Sequence, residues 1–282
     1  MSPIFTAACI QTNARRNIGD NLPIIRDHIL HAVELGADFI TLPECVSMLE
    51  PDRERLLAQA PAESDHPFLP MYEELARGHA TWILGGTLAV KTNTHNNSAP
   101  VTNRCYLFSP DGTIAATYDK IHMFDVDLDD GETYRESANY TPGTKSVLTD
   151  LPWGPLGMTI CYDLRFAYLY RILAQAGAAF LTIPSAFTRT TGEAHWHILL
   201  RARAIETGCF IIAPAQTGQH AEGRETYGHS LIVGPWGEIL ADADTDEGII
   251  TAEINPAAVA AARSKIPALK HDRDIKTRGP KN

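Results

Sequence analysis

Short apolar runs, each bounded by a polar or glycine-containing break, recur along the chain and twice fall into the same order. Residues 36–43 read Gly-Ala-Asp-Phe-Ile-Thr-Leu-Pro, and residues 177–184 read Gly-Ala-Ala-Phe-Leu-Thr-Ile-Pro. Each run follows a stretch with helical spacing of its apolar positions, 22–35 in the first case and 166–176 in the second. Gly36 and Gly177 stand where a helix end needs a left-handed residue. The run behind each glycine is continuously apolar, as in a strand buried on both faces. Pro43 and Pro184 end it, because proline has no N–H to give to a ladder. A second pair of segments, 105–118 around Ser109-Pro110-Asp111-Gly112 and 229–242 around Gly234-Pro235-Trp236-Gly237, has the signature of two hairpins.

Each half therefore predicts a helix, a buried strand, further strands and a hairpin. Two such halves bury their sheets against one another and leave the helices outside. The expected fold is α/β, a four-layer α-β-β-α sandwich built from two duplicated halves. No linker-like stretch parts them, so residues 1–282 read as a single domain. From about Lys265 the periodicity fades into a charged C-terminal arm, 265–282.

Composition narrows the function classes. The chain has 282 residues, 44% of them hydrophobic, enough for a sizeable core. It carries 24 basic and 34 acidic residues, a formal charge of -10. No cluster of Lys and Arg forms a stripe, so no nucleic-acid partner is expected. One acidic run, 125–132, reads as a solubilising segment. Five cysteines, Cys9, Cys45, Cys105, Cys161 and Cys209, are odd in number and scattered, as in a reducing compartment. With no basic-then-apolar leader and no apolar stretch of about 18 residues, a cytoplasmic protein with no membrane partner is expected.

A reactive cysteine needs exposure and a field that assists its ionisation. Cys9, Cys105 and Cys209 lie inside apolar strand-like runs and read as small core residues. Cys45 follows Pro43-Glu44 and could line a site, but nothing beside it would ionise it. Cys161 ends the strand-like run 156–160, five residues before the helical pattern that begins at Phe166. A sharp strand-to-helix junction exposes a nucleophile beside unused backbone N–H groups. A free thiol, with a pKa of about 8.5, still requires a base or a cation near neutral pH. Glu44 ends the first duplicated strand, where the twin position carries Ser185. Lys120 closes the first hairpin, and Glu136 lies in the polar stretch Arg135-Glu136-Ser137. Each of the three, alone, also reads as an ordinary surface charge.

Together these segments carry a resemblance. Leu42-Pro43-Glu44-Cys45, Tyr118-Asp119-Lys120-Ile121-His122-Met123-Phe124-Asp125, Arg135-Glu136-Ser137 and Ile160-Cys161-Tyr162-Asp163-Leu164-Arg165-Phe166 resemble, in this order, the nitrilase-like carbon–nitrogen hydrolase superfamily over residues 4–275. The resemblance implies an α-β-β-α fold and hydrolysis of a C–N bond. It implies Glu44 as general base, Lys120 and the backbone N–H of Tyr162 as oxyanion partners, Cys161 as nucleophile and Glu136 as a second glutamate that steadies Lys120 or a water. Within the superfamily, Gly192-Glu193-Ala194-His195-Trp196-His197, the segment 200–206 and Tyr227-Gly228-His229-Ser230 look like the deaminated glutathione amidase branch. Omega-amidase, N-carbamoyl amino acid hydrolase, nitrilase and a catalytically silent scaffold of the same fold are the alternatives. A small amide substrate bearing a carboxylate would meet a cation, with Arg165 and Arg189, the latter in the expected loop after the second duplicated strand, as the candidates. No cofactor or metal is implied, since Glu193, His195 and His197 fall on a helical stretch from Ala194 that would point the histidines apart. A homodimer or larger homo-oligomer is expected.

Overall fold

The computed structural model describes residues 2–91, 101–128 and 133–276. Its first half runs β1 (Phe5–Gln11), α1 (Ile18–Glu34), β2 (Phe39–Thr41), α2 (Arg53–Gln59), α3 (Phe68–His79), β3 (Trp82–Lys91), β4 (Val101–Phe108) and β5 (Ile114–Asp119). A small hairpin of β6 (Asp125–Asp127) and β7 (Thr133–Arg135) leads out of it. The acidic run thus begins as a strand, and positions 129–132 lie outside the described residues. The second half contains β8 (Val147–Leu151), β9 (Gly154–Met158), α4 (Ala167–Gln175), β10 (Phe180–Thr182), α5 (Arg189–Thr207) and β11 (Phe210–Ala213). A second small hairpin, β12 (Thr217–Gln219) with β13 (Glu225–Tyr227), precedes β14 (Leu231–Val233) and β15 (Ile239–Asp242). β16 (Gly248–Ile254) and α6 (Ala257–Lys265) follow.

The duplication is written into the topology. One sheet has the order β16-β1-β2-β3-β4-β5 and the other, taken from its far end, β8-β9-β10-β11-β14-β15. Along each, the successive pairings are antiparallel, parallel, parallel, antiparallel and antiparallel. The matching helices α1 and α4 end at Gly36 and Gly177, both at positive φ, 78° and 113°. The predicted hairpins are β4–β5 and β14–β15.

Alternation along β1 sets the layers. Phe5, Ala7 and Cys9 join the core between the sheets, whereas Ala8 and Ile10 pack with α1 and α3. Phe5 stacks on Trp153 of the β8–β9 turn at 4.0 Å and meets Phe180 edge-on at 5.4 Å, across the two sheets. On the far side, Gly157 of β9 lies against Leu173 of α4 and leaves no space for a β-carbon. Each fully buried Leu, Ile or Phe contributes about 1.5–3 kcal/mol, so two apolar faces per sheet hold the sandwich closed. Among the described residues no helix is long and apolar enough to cross a membrane.

Two boundaries differ from the sequence reading. α5 starts at Arg189, not Ala194, because the Thr188 hydroxyl caps the helix by accepting from the Thr191 N–H at 3.3 Å. Gly192 sits inside the first turns, where a β-carbon would fall 2.3 Å from the Tyr227 side chain. The chain beyond Lys265 turns back onto α4. Arg171 donates to the Ala268 carbonyl at 3.1 Å and pairs with Asp272, and Gln175 donates to the Leu269 carbonyl at 3.2 Å. Positions 277–282 of the expected arm lie outside the described residues.

Candidate active site

Glu44 is presented by a turn at the C-terminal end of β2. The turn is braced by a bulge in β3 between Leu84 and Thr87. At Gly86, φ is +65° and a β-carbon would lie 2.2 Å from the Pro43 carbonyl, so only glycine permits this approach. Thr87 then accepts from the Cys45 N–H at 2.9 Å and donates its own N–H to Pro43 at 3.2 Å. The Glu44 carboxylate is left 3% exposed.

Lys120 follows β5 and exchanges backbone bonds with Asn103 and Gly143, at 3.0 and 2.7 Å. Its Nζ donates to Glu44 Oε1 at 2.8 Å and to Glu136 Oε1 and Oε2 at 2.9 and 2.8 Å. Glu136 opens a 3-10 turn, Glu136–Ala138, behind the β6–β7 hairpin, and its Oε2 also accepts from the Phe124 N–H at 2.7 Å. Asn103 Nδ2 reaches Glu44 Oε1 at 2.9 Å and Glu136 Oε1 at 3.4 Å. The sequence reading missed Asn103. Its signal was an asparagine, a residue disfavoured in strands, in the middle of apolar β4.

Cys161 lies three residues past β9, and a 3-10 helix, Cys161–Arg165, intervenes before α4. Cys161 is only 7% exposed, where the strand-to-helix junction predicts an exposed nucleophile. Its N–H donates to the Pro184 carbonyl at 2.9 Å, and its φ of +47° is rare for a residue with a side chain. Asp163, fully buried, fixes this turn. It accepts from the Ile160 N–H at 2.9 Å, the Tyr118 hydroxyl at 2.7 Å and the His122 N–H at 3.1 Å. The Cys161 turn is thereby tied to the segment that carries Lys120. The Tyr162 N–H lies in the first helical turn, where no intrahelical acceptor exists.

The electrostatics follow from this packing. Burial alone would raise the Glu44 carboxyl, yet the Lys120 ammonium holds it below the usual carboxylate range. Burial would lower Lys120, but the charges of Glu136 and Glu44 keep it well above the ordinary lysine value. The Cys161 thiol is pushed well above its usual value, first by burial and then by the adjacent Glu44 carboxylate with which it hydrogen-bonds. The resting sulfur is therefore a neutral thiol poised against a base. Cys45 is pushed up to about 12 by burial and then by Glu44.

Glu44, Lys120, Glu136 and Cys161 line a cavity of about 390 Å³. Cys45, Tyr134, Tyr140, Tyr162, Arg165 and Arg224 line it as well. Arg165 has its guanidinium over the rings of Tyr162 and Phe187, 5.9 and 5.4 Å from their centroids, and 3.3 Å from His195 Nδ1. Arg189 is not in a loop and does not line the cavity. As the first residue of α5 it points outward, to Glu193 at 3.0 Å and Glu225 at 2.7 Å. The sequence reading overlooked Arg224, which nothing in its local pattern singles out. Glu193, His195 and His197 separate, since His197 turns to Asp242 at 3.0 Å. Outside the cavity, His197, His229 and Asp242 bring ligand-type atoms within 4.8 Å of one another. Asp242 accepts from both rings there, the His229 contact being 2.9 Å.

The carbon–nitrogen hydrolase family profile matches residues 6–264. Over 270 residues the chain is 42% identical to the deaminated glutathione amidase of Synechocystis sp., covering 95% of this chain and 97% of that protein. It is 33% identical over 269 residues to omega-amidase NIT2 of Homo sapiens, covering 95% of each. The crystal structure of the C. elegans NitFhit protein matches with a TM-score of 0.87 and 34% identity, over 96% of this chain and 66% of that one. These likenesses span both halves of the sandwich and every segment that builds the cavity. The chain belongs to the carbon–nitrogen hydrolase family.

Proposed function

We propose that the protein is an amidase that hydrolyses a linear, non-peptide-type amide through a thioester on Cys161. Its proposed substrate is deaminated glutathione, ketoglutaramyl-cysteinylglycine. The observation that carries this reading is the convergence in one cavity of a neutral thiol, an ionised Glu44 beside it and Lys120 bonded to both carboxylates. Glu44 takes the thiol proton as the sulfur attacks the amide carbonyl, so no free thiolate accumulates. Lys120 and the Tyr162 N–H face the oxygen that becomes negative, an interaction whose loss costs about 3–4 kcal/mol in comparable sites. Glu44 hands the proton to the departing amine, and the C–N bond breaks to leave the thioester. It next draws a proton from water, which attacks the thioester and releases the acid and the free thiol. Glu136 holds Lys120 in place through both of its oxygens. No step calls for a metal or cofactor.

The substrate choice is supported by the 42% identity to a deaminated glutathione amidase against 33% to an omega-amidase. A turnover screen of ketoglutaramyl-cysteinylglycine, ketoglutaramate, N-carbamoyl amino acids and aliphatic nitriles tests it. The peptide is expected to show the highest kcat/KM, at least tenfold above ketoglutaramate, about 1.4 kcal/mol of preference. A nitrile or ketoglutaramate as the best substrate overturns that choice.

We take residues 1–282 as one domain and place it in the cytoplasm, a reading supported by five unpaired cysteines. We also propose a homo-oligomer assembled over α4 and α5. Tyr168 and Ile172 on α4 and Ile198 and Ile205 on α5 are each at least half exposed, an apolar face of the kind that partners cover. Light scattering is expected to give a dimer or larger, and glutamate at positions 198 and 205 to dissociate it. A clean wild-type monomer contradicts the assembly.

A further inference from the structure

The mechanism leaves two cations of the cavity wall, Arg165 and Arg224, with neither a task nor a partner carboxylate among the described residues. Arg224 follows the 3-10 turn Ala221–Gly223, which joins β12 to β13, and reaches the cavity from the second half of the chain. Its Nη2 donates to the Ala186 carbonyl at 3.2 Å. The N–H of that same Ala186 donates to Glu44 Oε2 at 3.0 Å. The guanidinium lies 5.6 Å over the Tyr134 ring, so it is held between a carbonyl and an aromatic face. Its Nε is sealed from solvent and, among the described residues, has no acceptor.

The other arginines near the cavity that meet carboxylates do so within the chain. Arg16 pairs with Glu50 and Glu222, and Arg135 with Asp127 at 2.7 Å. Arg224 and Arg165 lie within ion-pair distance of no carboxylate among the described residues. Arg224 is only partly buried, but a guanidinium N–H sealed from solvent and left without an acceptor is costly unless an anion completes it. The planar fork fits a carboxylate through two parallel hydrogen bonds. Charge across the cavity supports the same assignment. Glu44, Glu136 and Lys120 sum to one negative charge beside the sulfur, while Glu50 and Glu222 on the same wall are paired with Arg16, and Arg135 with Asp127. Arg165 and Arg224 add two positive charges that no carboxylate among the described residues pairs with, and these attract an anion.

We propose that Arg224 binds a carboxylate of the amide substrate, with Arg165 flanking it, and thereby selects anionic amides and orients them. The proposal rests on amide hydrolysis at Cys161. The carboxylate can belong to the acyl part or to the leaving amine, and the test separates the two.

Full-length wild-type, R224A and R224K proteins are compared on ketoglutaramate, N-butyrylglycine and butyramide. The first has its carboxylate on the acyl side, the second on the amine side, and the third has none. R224A is expected to lose about 10- to 100-fold more kcat/KM on one carboxylate-bearing amide than on butyramide, the loss falling mainly on KM. R224K is expected to recover part of it, since a single ammonium keeps the charge but not the fork. The amide that suffers identifies which carboxylate is held. Competitive inhibition by glutarate weakens in parallel where the acyl side is the one bound. An equal fall on all three amides assigns Arg224 a structural role and overturns the proposal, as does an unchanged KM for both anionic amides. A wild-type protein that forms no acyl adduct on Cys161 with any of them sinks the amidase reading and this one together. Activity with unaltered selectivity in R224A sinks this one alone.

Discussion

Replacing Cys161 with alanine is expected to remove turnover, by about a millionfold in kcat, while the protein still folds. No other group in the cavity can take over the acyl transfer. Cys45 is the second thiol along its wall, but it is pushed up to about 12 and its backbone is held in a left-handed turn, φ 57°. Lys120 keeps its proton and so offers no lone pair. The fold loses little. Alanine removes one buried sulfur, and Glu44 retains its bonds to Lys120, Asn103 and the Ala186 N–H. A stability change of about 1 kcal/mol follows, a few degrees in Tm for a chain of this size. Intact-protein mass spectrometry after mixing with substrate checks the claim. Wild type should gain one acyl mass, mapped by digestion to the peptide containing Cys161, and the variant none. Residual turnover above a few per cent, or an adduct on Cys45, refutes the assignment.

Some of this arrangement was legible in the chain because the forces behind it are local. A buried strand behind a helix-ending glycine announces itself by its apolar run, and it did so twice, at Phe39–Thr41 and Phe180–Thr182. Cys161 was legible by contrast with its neighbours, being a cysteine that follows a strand instead of lying within one. Glu44 was visible for a related reason, since its twin Ser185 is an inert buried hydroxyl bonded to Ile183 at 2.9 Å. Direction in turns is another matter. Arg189 looked like a loop cation near the site, yet the helix that starts there turns it outward to Glu193 and Glu225. Arg224 looked like nothing, because β12 and β13 are three residues each and too short for periodicity to register. What brings it to the cavity is the β12–β13 pairing and the Ala186 carbonyl, both contacts with distant parts of the chain. Asp163 was quoted only as part of a motif. Its work, joining the Cys161 turn to the Lys120 segment, depends on Tyr118 and His122, more than forty residues away by the separations of 45 and 41. Local pattern identifies elements, and only tertiary packing decides which way their end residues point.

Lys120→Met is expected to cost both activity and stability, and to reverse the dependence of stability on pH. Methionine fills nearly the same volume, so the effect is that of removing a buried charge and not of opening a cavity. Glu44 and Glu136 would then face each other around Asn103 with no cation between them. Two buried carboxylates without a counter-ion cannot both stay ionised, and one takes up a proton. Breaking a buried pair by removing one partner costs about 3–5 kcal/mol. The proton captured by the pair disables Glu44 as a base, and the oxyanion partner is lost as well, so kcat should fall by at least about a thousandfold. The sign of the pH effect is the sharper test. In wild type the Glu44 carboxyl is held below its unfolded value. Its contribution to stability is present above the unfolded pKa and is lost as pH falls through the folded one. In the variant, burial and mutual repulsion raise that pKa instead. Stability is then greatest below the unfolded value and declines as pH rises through the new folded value. Between pH 5 and 8, Tm of the variant should therefore fall where that of wild type does not, as followed by calorimetry at fixed ionic strength. Parallel Tm profiles for the two proteins would mean that Lys120 does not hold the carboxylates ionised, and the route of the thiol proton through Glu44 would lose its physical basis.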